Sequence, residues 1–483
     1  MRTGLNVSNY SGIHGVIDNP ARIVNSPLAW DFNLSSVGVF VDNNFLTIPN
    51  NSLITIGGKN IVPIPAGIPR TNLNQNAYLV INDKNFTRIG TDITVRGPSM
   101  MISTPTKGFG VFTNVRSNVT IKNIPLDMVN FFFNPIDGEN LTNLALSGVN
   151  INNFGINAMG WTEVGLSYGK YIVDDRFYKV RAGGNLKFLL GATNYALNFN
   201  QILAQPDFTK TAIENFESIV MDIDYRFLNP GKVTGGWTNY IAGYGLGIDA
   251  GILIEEYKVY KKRFGKYMQK YQWQLGISIN DIGAIAFGAD KLISNTIKGN
   301  GLVEILNLDT VRNPYMQAVA DVINNAATAT YSDLDDGKGN VVFLPASATV
   351  HIDRSIWQNW YIFGKYRMGM PGNHRALRTP SNLVIAPRYE NKHFDFSIPF
   401  TFHDWRHFRY GFNFRASIFT IGSDNLSNIF RETATVTGAD IYFGLRFYRN
   451  RRLLKKSNFL NRWLAKRKRN SKLKNFRIVS PRF

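Results

Sequence analysis

Two histidines, His403 and His407, lie four positions apart with Asp404 between them, and imidazole and carboxylate groups can bind a transition metal. On a helix this spacing brings two side chains to one face. Here it falls where the surrounding residues indicate a turn between two strands, which is more typical of polar residues at a turn. We therefore predict no metal site.

The motifs of catalysis and nucleotide binding are absent from the sequence. It contains no Gly-x-Ser-x-Gly elbow and no glycine-rich loop that ends in Lys-Ser or Lys-Thr. The series Gly243, Gly245 and Gly247 has the spacing of a dinucleotide fingerprint, but it falls inside a long alternating segment where small residues suit a crowded interior. We predict that the protein is not an enzyme and binds no cofactor. The alternative that the sequence leaves open is an enzyme of the outer-membrane lipase type, which would need a Ser–His pair at the rim of a β-barrel.

An Asn-Pro-Ala tripeptide, Asn19, Pro20 and Ala21, closes a polar N-terminal stretch that is rich in Gly and Asn. Asn before Pro favours a turn. We interpret residues 1–28 as a plug or hatch segment. Within it the tripeptide either gates a lumen or forms a structural corner.

The C-terminal residues 449–483 form a strongly basic tail that includes Lys466, Arg467, Lys468 and Arg469. Such a run suits nucleic acid in other proteins. After the last strand of a membrane barrel it would instead lie in the periplasm. We therefore predict a tail that binds a protein partner or an anionic surface, and no nucleic acid.

Strands must position these residues, because apolar and polar residues alternate one by one over long stretches. Residues 393–403 are the clearest example. One side carries large apolar side chains: Phe394, Phe396, Ile398, Phe400 and Phe402. Successive side chains of a strand point to opposite faces. A strand between lipid and a wet lumen requires such a pattern.

The length of these stretches favours a membrane barrel over a soluble β-sandwich. Residues 240–254 alternate throughout, whereas strands of soluble proteins typically have about 5–6 residues. No Arg or Lys interrupts the apolar rows, and a basic residue at mid-bilayer costs roughly 2–4 kcal/mol. An open sheet edge in hydrocarbon would leave unpaired backbone groups, so the sheet must close. We predict an all-β, transmembrane antiparallel barrel of about 14 strands over residues 29–448.

Two stretches, residues 47–107 and 289–340, interrupt the alternation, and we predict long loops there. The sequence contains no cysteine, which excludes disulfides and thiolate metal sites. The N-terminus lacks the features of a signal peptide, as expected for the mature form of an exported protein. The predicted location is the outer membrane of a Gram-negative bacterium. The predicted partners then include the lipid of the outer membrane.

Three N-terminal elements resemble the start of an uncharacterised outer-membrane β-barrel family of Bacteroidota. They are residues 8–12, the tripeptide at 19–21 and the strand end at 41–46. That family is similar to fatty-acid-transporter-type (FadL-like) barrels, which carry an Asn-Pro-Ala near their N-terminal hatch. The resemblance implies a fourteen-stranded barrel whose N-terminus folds into the lumen.

The last alternating stretch, residues 438–447, resembles an outer-membrane assembly signal. Its aromatic and aliphatic positions are Tyr442, Phe443, Leu445 and Phe447. Such a signal usually ends a chain, whereas 36 residues follow this one.

Two functions are consistent with these features. The first is FadL-like transport of a hydrophobic or small molecule across the outer membrane. The second is a non-transporting barrel that acts as a scaffold in a membrane protein complex, where loops and the basic tail dock periplasmic or outer-membrane protein partners. The resemblance favours transport, and the glycine-rich lumen face favours a filled interior.

Overall fold

The structure is a computed structural model. It describes residues 3–43, 46–47, 79–80, 88–124, 149–175, 177–206, 216–228, 241–257, 271–301, 338–357, 359–370, 377–405, 407–426 and 438–450. Its helical elements are α1 (Thr3–Val7), α2 (Ile13–Asp18) and two 3-10 helices, Pro20–Ile23 and Ala289–Lys291. No helix in these ranges is long and apolar enough to cross a membrane.

Strands make up most of the described chain. In chain order they are β1 (Leu28–Asn43), β2 (Leu46–Thr47), β3 (Leu79–Val80), β4 (Arg88–Arg96), β5 (Ser99–Ser103), β6 (Lys107–Lys122), β7 (Val149–Asp174), β8 (Tyr178–Pro206), β9 (Phe216–Leu228), β10 (Gly243–Tyr257), β11 (Tyr271–Phe287), β12 (Leu292–Gly301), β13 (Asn340–Phe343), β14 (Ser347–Trp357), β15 (Trp360–Gly369), β16 (Asn382–Glu390), β17 (Phe394–Ser397), β18 (Phe400–His403), β19 (His407–Tyr410), β20 (Phe412–Ala416), β21 (Phe419–Ser423) and β22 (Gly438–Asn450).

The strands form a closed antiparallel ring. Four pairs of short strands, β4–β5, β13–β14, β17–β18 and β19–β20, each act as one interrupted strand. The ring order is then β1, β4–β5, β6, β7, β8, β10, β11, β13–β14, β15, β16, β17–β18, β19–β20, β21 and β22. The last strand pairs with the first, for example Phe443 with Val37, which closes the ring. The ring has fourteen strands, as the sequence predicted.

The apolar rows of the ring face outward. On β10, Tyr244 is 65% exposed and Leu246 is 58% exposed. Asp249, which points to the other face of the strand, is 2% exposed. The same division separates outward Phe394 from inward Asp395 on β17. Lipid therefore contacts the aromatic and aliphatic rows, and the charged residues lie inside.

The two ends of the barrel differ in the length of their connections. Short turns join β5 to β6, β7 to β8, β14 to β15, β16 to β17 and β20 to β21 at one end. At the other end most connections are longer, as between β1 and β4 (residues 44–87) and between β6 and β7 (residues 123–148). The exceptions are the short turn between β18 and β19 at this end and the longer connection between β10 and β11 (residues 258–270) at the first end. Bacterial barrels have short periplasmic turns and long extracellular loops. The end with short turns, where β22 finishes, is therefore periplasmic.

One alternating stretch lies outside the ring. Strand β8 pairs with β10 up to Gly191, then continues outward and pairs with β9 from Tyr195 onward. Strand β9 in turn pairs with β12. We call this sheet, formed by the outer parts of β7 and β8 with β9 and β12, the extracellular extension. Its alternating residues Ile223, Tyr225 and Phe227 are buried, because they pack against β8 and not against lipid.

Both predicted loops contain strands. Residues 88–103, placed by the sequence analysis in the loop 47–107, form the second ring strand as β4 and β5. The Gly97-Pro98 break and the many polar residues concealed its alternation, so this boundary was wrong. The stretch 289–340 contains β12 and the first residue of β13. Residues 48–78, 81–87 and 302–337 lie outside the described ranges.

Candidate functional site

Residues 3–24, which we call the N-terminal segment, lie inside the barrel. Ile13, Val16 and Ile23 are fully buried and pack in a cluster with Met101 and Phe112 of the barrel wall. The segment is short and mostly polar, but its few aliphatic side chains pack against the barrel wall. It is therefore part of the packed interior.

The start of α2 is fixed by a close contact with strand β1. Gly12 precedes the helix with φ 59°, a left-handed conformation that suits glycine. A side chain at this position would collide with the Asp31 carboxylate. The same carboxylate accepts a hydrogen bond of 2.8 Å from the Ile13 backbone N–H. Gly12 thus allows a buried carboxylate to reach the first turn of α2.

The Asn-Pro-Ala tripeptide contacts the barrel wall through backbone groups. Asn19 donates from Nδ2 to the carbonyl oxygens of Ile252 (3.2 Å) and Ile277 (3.3 Å) on β10 and β11. Its Oδ1 accepts from the Ala21 N–H at 3.0 Å. Pro20 begins the 3-10 helix, a position where its missing N–H is not needed. The tripeptide is both a turn and an attachment point.

Glycines of the lumen face make room for this attachment. A side chain at Gly251 would overlap Asn19, and one at Gly183 would overlap the Pro20 backbone. The sequence analysis attributed lumen glycines to crowding by side chains. At these two positions the crowding comes from the backbone and polar side chain of the N-terminal segment.

Asp18 forms the central ion pairs of the segment. Its Oδ1 lies 2.5 Å from Lys365 Nζ and 2.8 Å from Arg367 Nη2, on strand β15. Complete burial would raise the pKa of the Asp18 carboxyl, but the attraction of the two cations outweighs burial and lowers the pKa below its ordinary value. Asp18 is therefore ionised at neutral pH and joins the segment to the wall.

The last strand also holds the N-terminal segment. The Arg446 guanidinium donates to the carbonyl oxygens of Ser11 and Tyr10, the latter at 2.8 Å. The residues of the predicted assembly signal divide between two faces of β22. Phe443 and Phe447 are exposed on the lipid face and Leu445 is half-buried, while Tyr442 lies buried in the lumen.

Beside the segment, in the periplasmic half of the lumen, buried charged groups form a network. Arg388 lies 2.6 Å from Asp353 and 3.0 Å from Glu390. Tyr271 donates to Asp353 at 2.7 Å. Glu390 also accepts from the Asn9 backbone N–H at 3.0 Å, so this network includes the N-terminal segment.

On the extracellular side of the segment the lumen widens into a cavity of about 160 Å³. We call it the vestibule. Its floor is formed by Leu5, Asn6, His14, Ile17 and Asp18 of the N-terminal segment. Basic side chains on the wall are Arg88, Arg96, Arg116, Lys187, Lys365, Arg367 and Arg378. Wall carboxylates among the described residues are Asp42, Asp92 and Asp281.

The vestibule wall is held by ion pairs between distant strands. Arg116 on β6 lies 3.0 Å from Glu163 and 2.9 Å from Asp281 on β11. Lys187 on β8 lies 2.6 Å from the same Asp281 and 2.7 Å from Asp249. The cavity therefore presents a polar, charged surface.

The remaining candidate residues do not form a site in the described structure. His403 contacts Asp42 at 2.9 Å, and Asp404 contacts Arg88 at 2.6 Å, so both belong to the ion pairs near the mouth. Among the described residues no group of three metal-binding side chains could hold a metal ion. Lys466, Arg467, Lys468 and Arg469 lie outside the described residues.

Sequence reasoning missed the vestibule. Its residues come from strands far apart in the chain, such as Arg116 and Asp281, and no motif joins them. The inward polar rows of the alternation did contain them. Strand register, which alternation alone does not provide, would have been needed to bring them together.

The closed ring of fourteen strands and its outward apolar belt define an outer-membrane β-barrel protein of a Gram-negative bacterium. A family model described as "Family of unknown function (DUF5723)" matches residues 20–424, and the chain belongs to this family. A search of curated proteins found no match.

Several solved structures are similar to the chain. A mutant of the TodX monoaromatic hydrocarbon channel is 12% identical, with a TM-score of 0.40 and coverage of 92% of this chain and 96% of that one. The Ralstonia pickettii toluene transporter TbuX is 10% identical, with a TM-score of 0.37 and coverage of 91% and 94%. A Pseudomonas aeruginosa FadL homologue is 8% identical, with a TM-score of 0.26 and coverage of 89% and 92%. The substrates in these names are those of the named proteins alone.

Proposed function

We propose that the protein is a non-enzymatic outer-membrane channel that admits a small hydrophilic molecule from outside, with the N-terminal segment as its hatch. One observation carries the proposal. The vestibule opens toward the extracellular end, and its floor is the N-terminal segment rather than the barrel wall. A solute that enters the vestibule can continue only if this segment moves.

The polarity of the vestibule supports a hydrophilic solute over a hydrophobic one. Arg116, Lys187 and Asp281 interact at its wall, and Asp18 lies at its floor. An apolar molecule there would displace water from charged groups without replacing their hydrogen bonds, which is unfavourable. A small polar molecule could exchange hydrogen bonds with the same groups.

The attachments of the hatch support a closed resting state. Asp18 pairs with two cations of β15, Asn19 donates to two wall carbonyls, and Arg446 binds two carbonyls of the segment. Each is a polar contact that can re-form after displacement. The hatch can therefore open and return without unfolding the ring.

A disulfide between hatch and wall tests this function. Gly251 faces Asn19 closely enough for a cysteine pair, and the chain has no other cysteine. We expect the Asn19→Cys, Gly251→Cys protein to be impermeable in vesicles when oxidised and to regain solute flux on reduction. Swelling of vesicles in small sugars and amino acids measures the flux.

The Asn19→Cys protein and the wild type serve as controls and should pass solute under both conditions, since neither places a side chain at Gly251, where it would overlap Asn19. Flux through the oxidised double variant equal to that of the controls would show that the segment is not the gate. A wild-type protein that is silent to every solute and carries no current would refute transport itself.

The lower lumen supports an alternative function as a scaffold. In the periplasmic half, Arg388 pairs with Asp353 and Glu390, and Tyr271 donates to Asp353. A barrel of this kind could serve as a membrane anchor whose loops and basic tail, residues 449–483, dock periplasmic or outer-membrane proteins.

Removal of residues 451–483 tests the scaffold function. The ring ends at Asn450, so the shortened protein should still insert and migrate as a folded barrel. We expect it to lose any periplasmic protein that co-purifies with the full chain, as seen by mass spectrometry of the purified complex. If every partner stays bound, the tail is not the docking element.

A further inference from the structure

The lipid face carries a pair of lysines at the periplasmic edge of the apolar belt. Lys107, the first residue of β6, is directly opposite Lys170 of β7 in the strand register. Both side chains are exposed and point outward. Like charges directly opposite each other in a sheet are destabilising. A bound anion would offset this repulsion.

Within the described part of the chain neither lysine forms an ion pair. The carboxylate of Asp174, near the tip of the same β7–β8 hairpin, lies 2.8 Å from Lys179 and is neutralised by it. The two ammonium groups thus present a local positive charge at the depth where the apolar row of β6 ends, while the outward row of β7 continues past Lys170 to the exposed Ile172.

The backbone around the pair is ordered by the β5–β6 turn. Thr104 Oγ1 accepts from the Lys107 N–H at 2.9 Å and donates to the Lys107 carbonyl at 2.7 Å. The Thr106 carbonyl accepts from the N–H of Tyr171, the neighbour of Lys170, at 3.2 Å. Both lysines therefore extend from fixed backbone, which lowers the entropy cost of binding an anion between them.

Just inside the lysines, toward the bilayer centre, an aromatic ridge adjoins a shallow groove. Phe109 is opposite Tyr168, with ring centroids 5.1 Å apart, and both rings are exposed to lipid. Beside Tyr168 the register places Gly184, and beside Gly184 lies Ala250. Two small outward residues next to two rings leave a shallow depression in the lipid face.

We propose that Lys107 and Lys170 bind the phosphate of an anionic phospholipid of the periplasmic leaflet, whose acyl chain lies in the groove along Tyr168, Gly184 and Ala250. Clusters of basic residues at a membrane surface recognise anionic headgroups. The site requires lipid rather than a free anion, because the charges and the groove are continuous and both face the bilayer. This proposal is independent of the transport function.

Native mass spectrometry of the purified protein, titrated with phosphatidylglycerol or phosphatidylcholine, tests the headgroup contact. We expect wild type to prefer phosphatidylglycerol, and Lys107→Gln and Lys170→Gln each to weaken its binding about fivefold. Lys392→Gln, which removes an exposed charge from another turn at the same end, is the matched control and should bind as wild type. An equal loss of phosphatidylglycerol binding in the control would overturn the site. So would an unchanged preference for phosphatidylglycerol when Lys107→Gln and Lys170→Gln are combined in one protein.

Filling the groove tests the acyl contact. A Cβ at Gly184 would meet only the Asp249 carbonyl at an ordinary 3.4 Å, so Gly184→Leu should fold normally and project into the groove. We expect it to lose long-chain phosphatidylglycerol while it keeps the dihexanoyl form. Displacement of the lipid by inorganic phosphate at equal concentration would show a simple anion site and contradict the proposal, as would unchanged long-chain binding in Gly184→Leu.

Discussion

The two halves of the lumen are lined by the same kinds of residue and yet differ in what fills them. In the extracellular half, ion pairs such as Arg116–Asp281 surround a cavity of about 160 Å³. In the periplasmic half, Arg388, Asp353 and Glu390 close on one another and on the N-terminal segment. The difference arises from the segment, which occupies one half and only borders the other.

This difference shows that the ring alone does not determine how the lumen is filled. The inward faces of the strands are polar along their whole length, as alternation requires. Gly183 and Gly251, where the wall leaves space, are positions at which the segment approaches closely. The wall is therefore shaped to receive the N-terminal segment, and in the proposed function closure depends on the contacts of that segment.

The largest expected effect is the change in conductance when the N-terminal segment is removed. Deletion of residues 3–24 should raise the single-channel conductance by about an order of magnitude or more, since barrels only slightly larger leave an aqueous channel. Planar-bilayer recording measures the effect, and heat-modifiable migration on a gel shows that the ring has formed. If a correctly folded deletion protein conducts no better than wild type, the wall residues close the lumen unaided.

A smaller effect is expected on stability, where a substitution in the periplasmic half should cost more free energy of unfolding than a matched substitution in the extracellular half. Arg388→Gln leaves two buried carboxylates without their cation, and we expect it to lower the free energy of unfolding by about 3–5 kcal/mol. Arg367→Gln is the matched change in the vestibule, where the side chain is 20% exposed and water can compensate. We expect a cost of about 1 kcal/mol or less there.

Urea unfolding in lipid vesicles, followed by tryptophan fluorescence, compares these two variants. Similar losses of stability in both would mean that the vestibule wall is packed as tightly as the lower lumen. The contrast between an open and a filled half would then be wrong.

The sequence predicted the ring because a membrane barrel requires strict alternation, outward apolar rows and closure, and each of these is visible in residue order. The prediction from the sequence was wrong where apolar and polar residues alternate outside the ring, and where a ring strand lacks a visible alternation. Tyr225 and Phe227 alternate as lipid-facing residues do, but they pack against β8 in the extracellular extension. Strand β4 is polar and ends at a Gly-Pro break, so it resembled a loop.

The candidate site was less accessible to sequence reasoning. Asn19 and Pro20 were noticed because their turn chemistry is local. Asp18, one position earlier, was not, because its partners Lys365 and Arg367 are more than 340 residues away. Long-range ion pairs of this kind depend on register and on the path of the N-terminal segment through the lumen, and neither leaves a local pattern.

The smallest expected effect is a pH dependence of the hatch. The pKa of Asp18 is lowered in the folded protein, so its ion pairs contribute fully above the unfolded value of about 3.9 and are lost only as the pH falls further. Conductance should therefore stay low from pH 7 to about pH 4 and rise below that. Asp18→Asn is the control, since it lacks this group and should show a raised, flatter profile. A wild-type channel that opens between pH 7 and pH 5 would place the controlling contact elsewhere than Asp18.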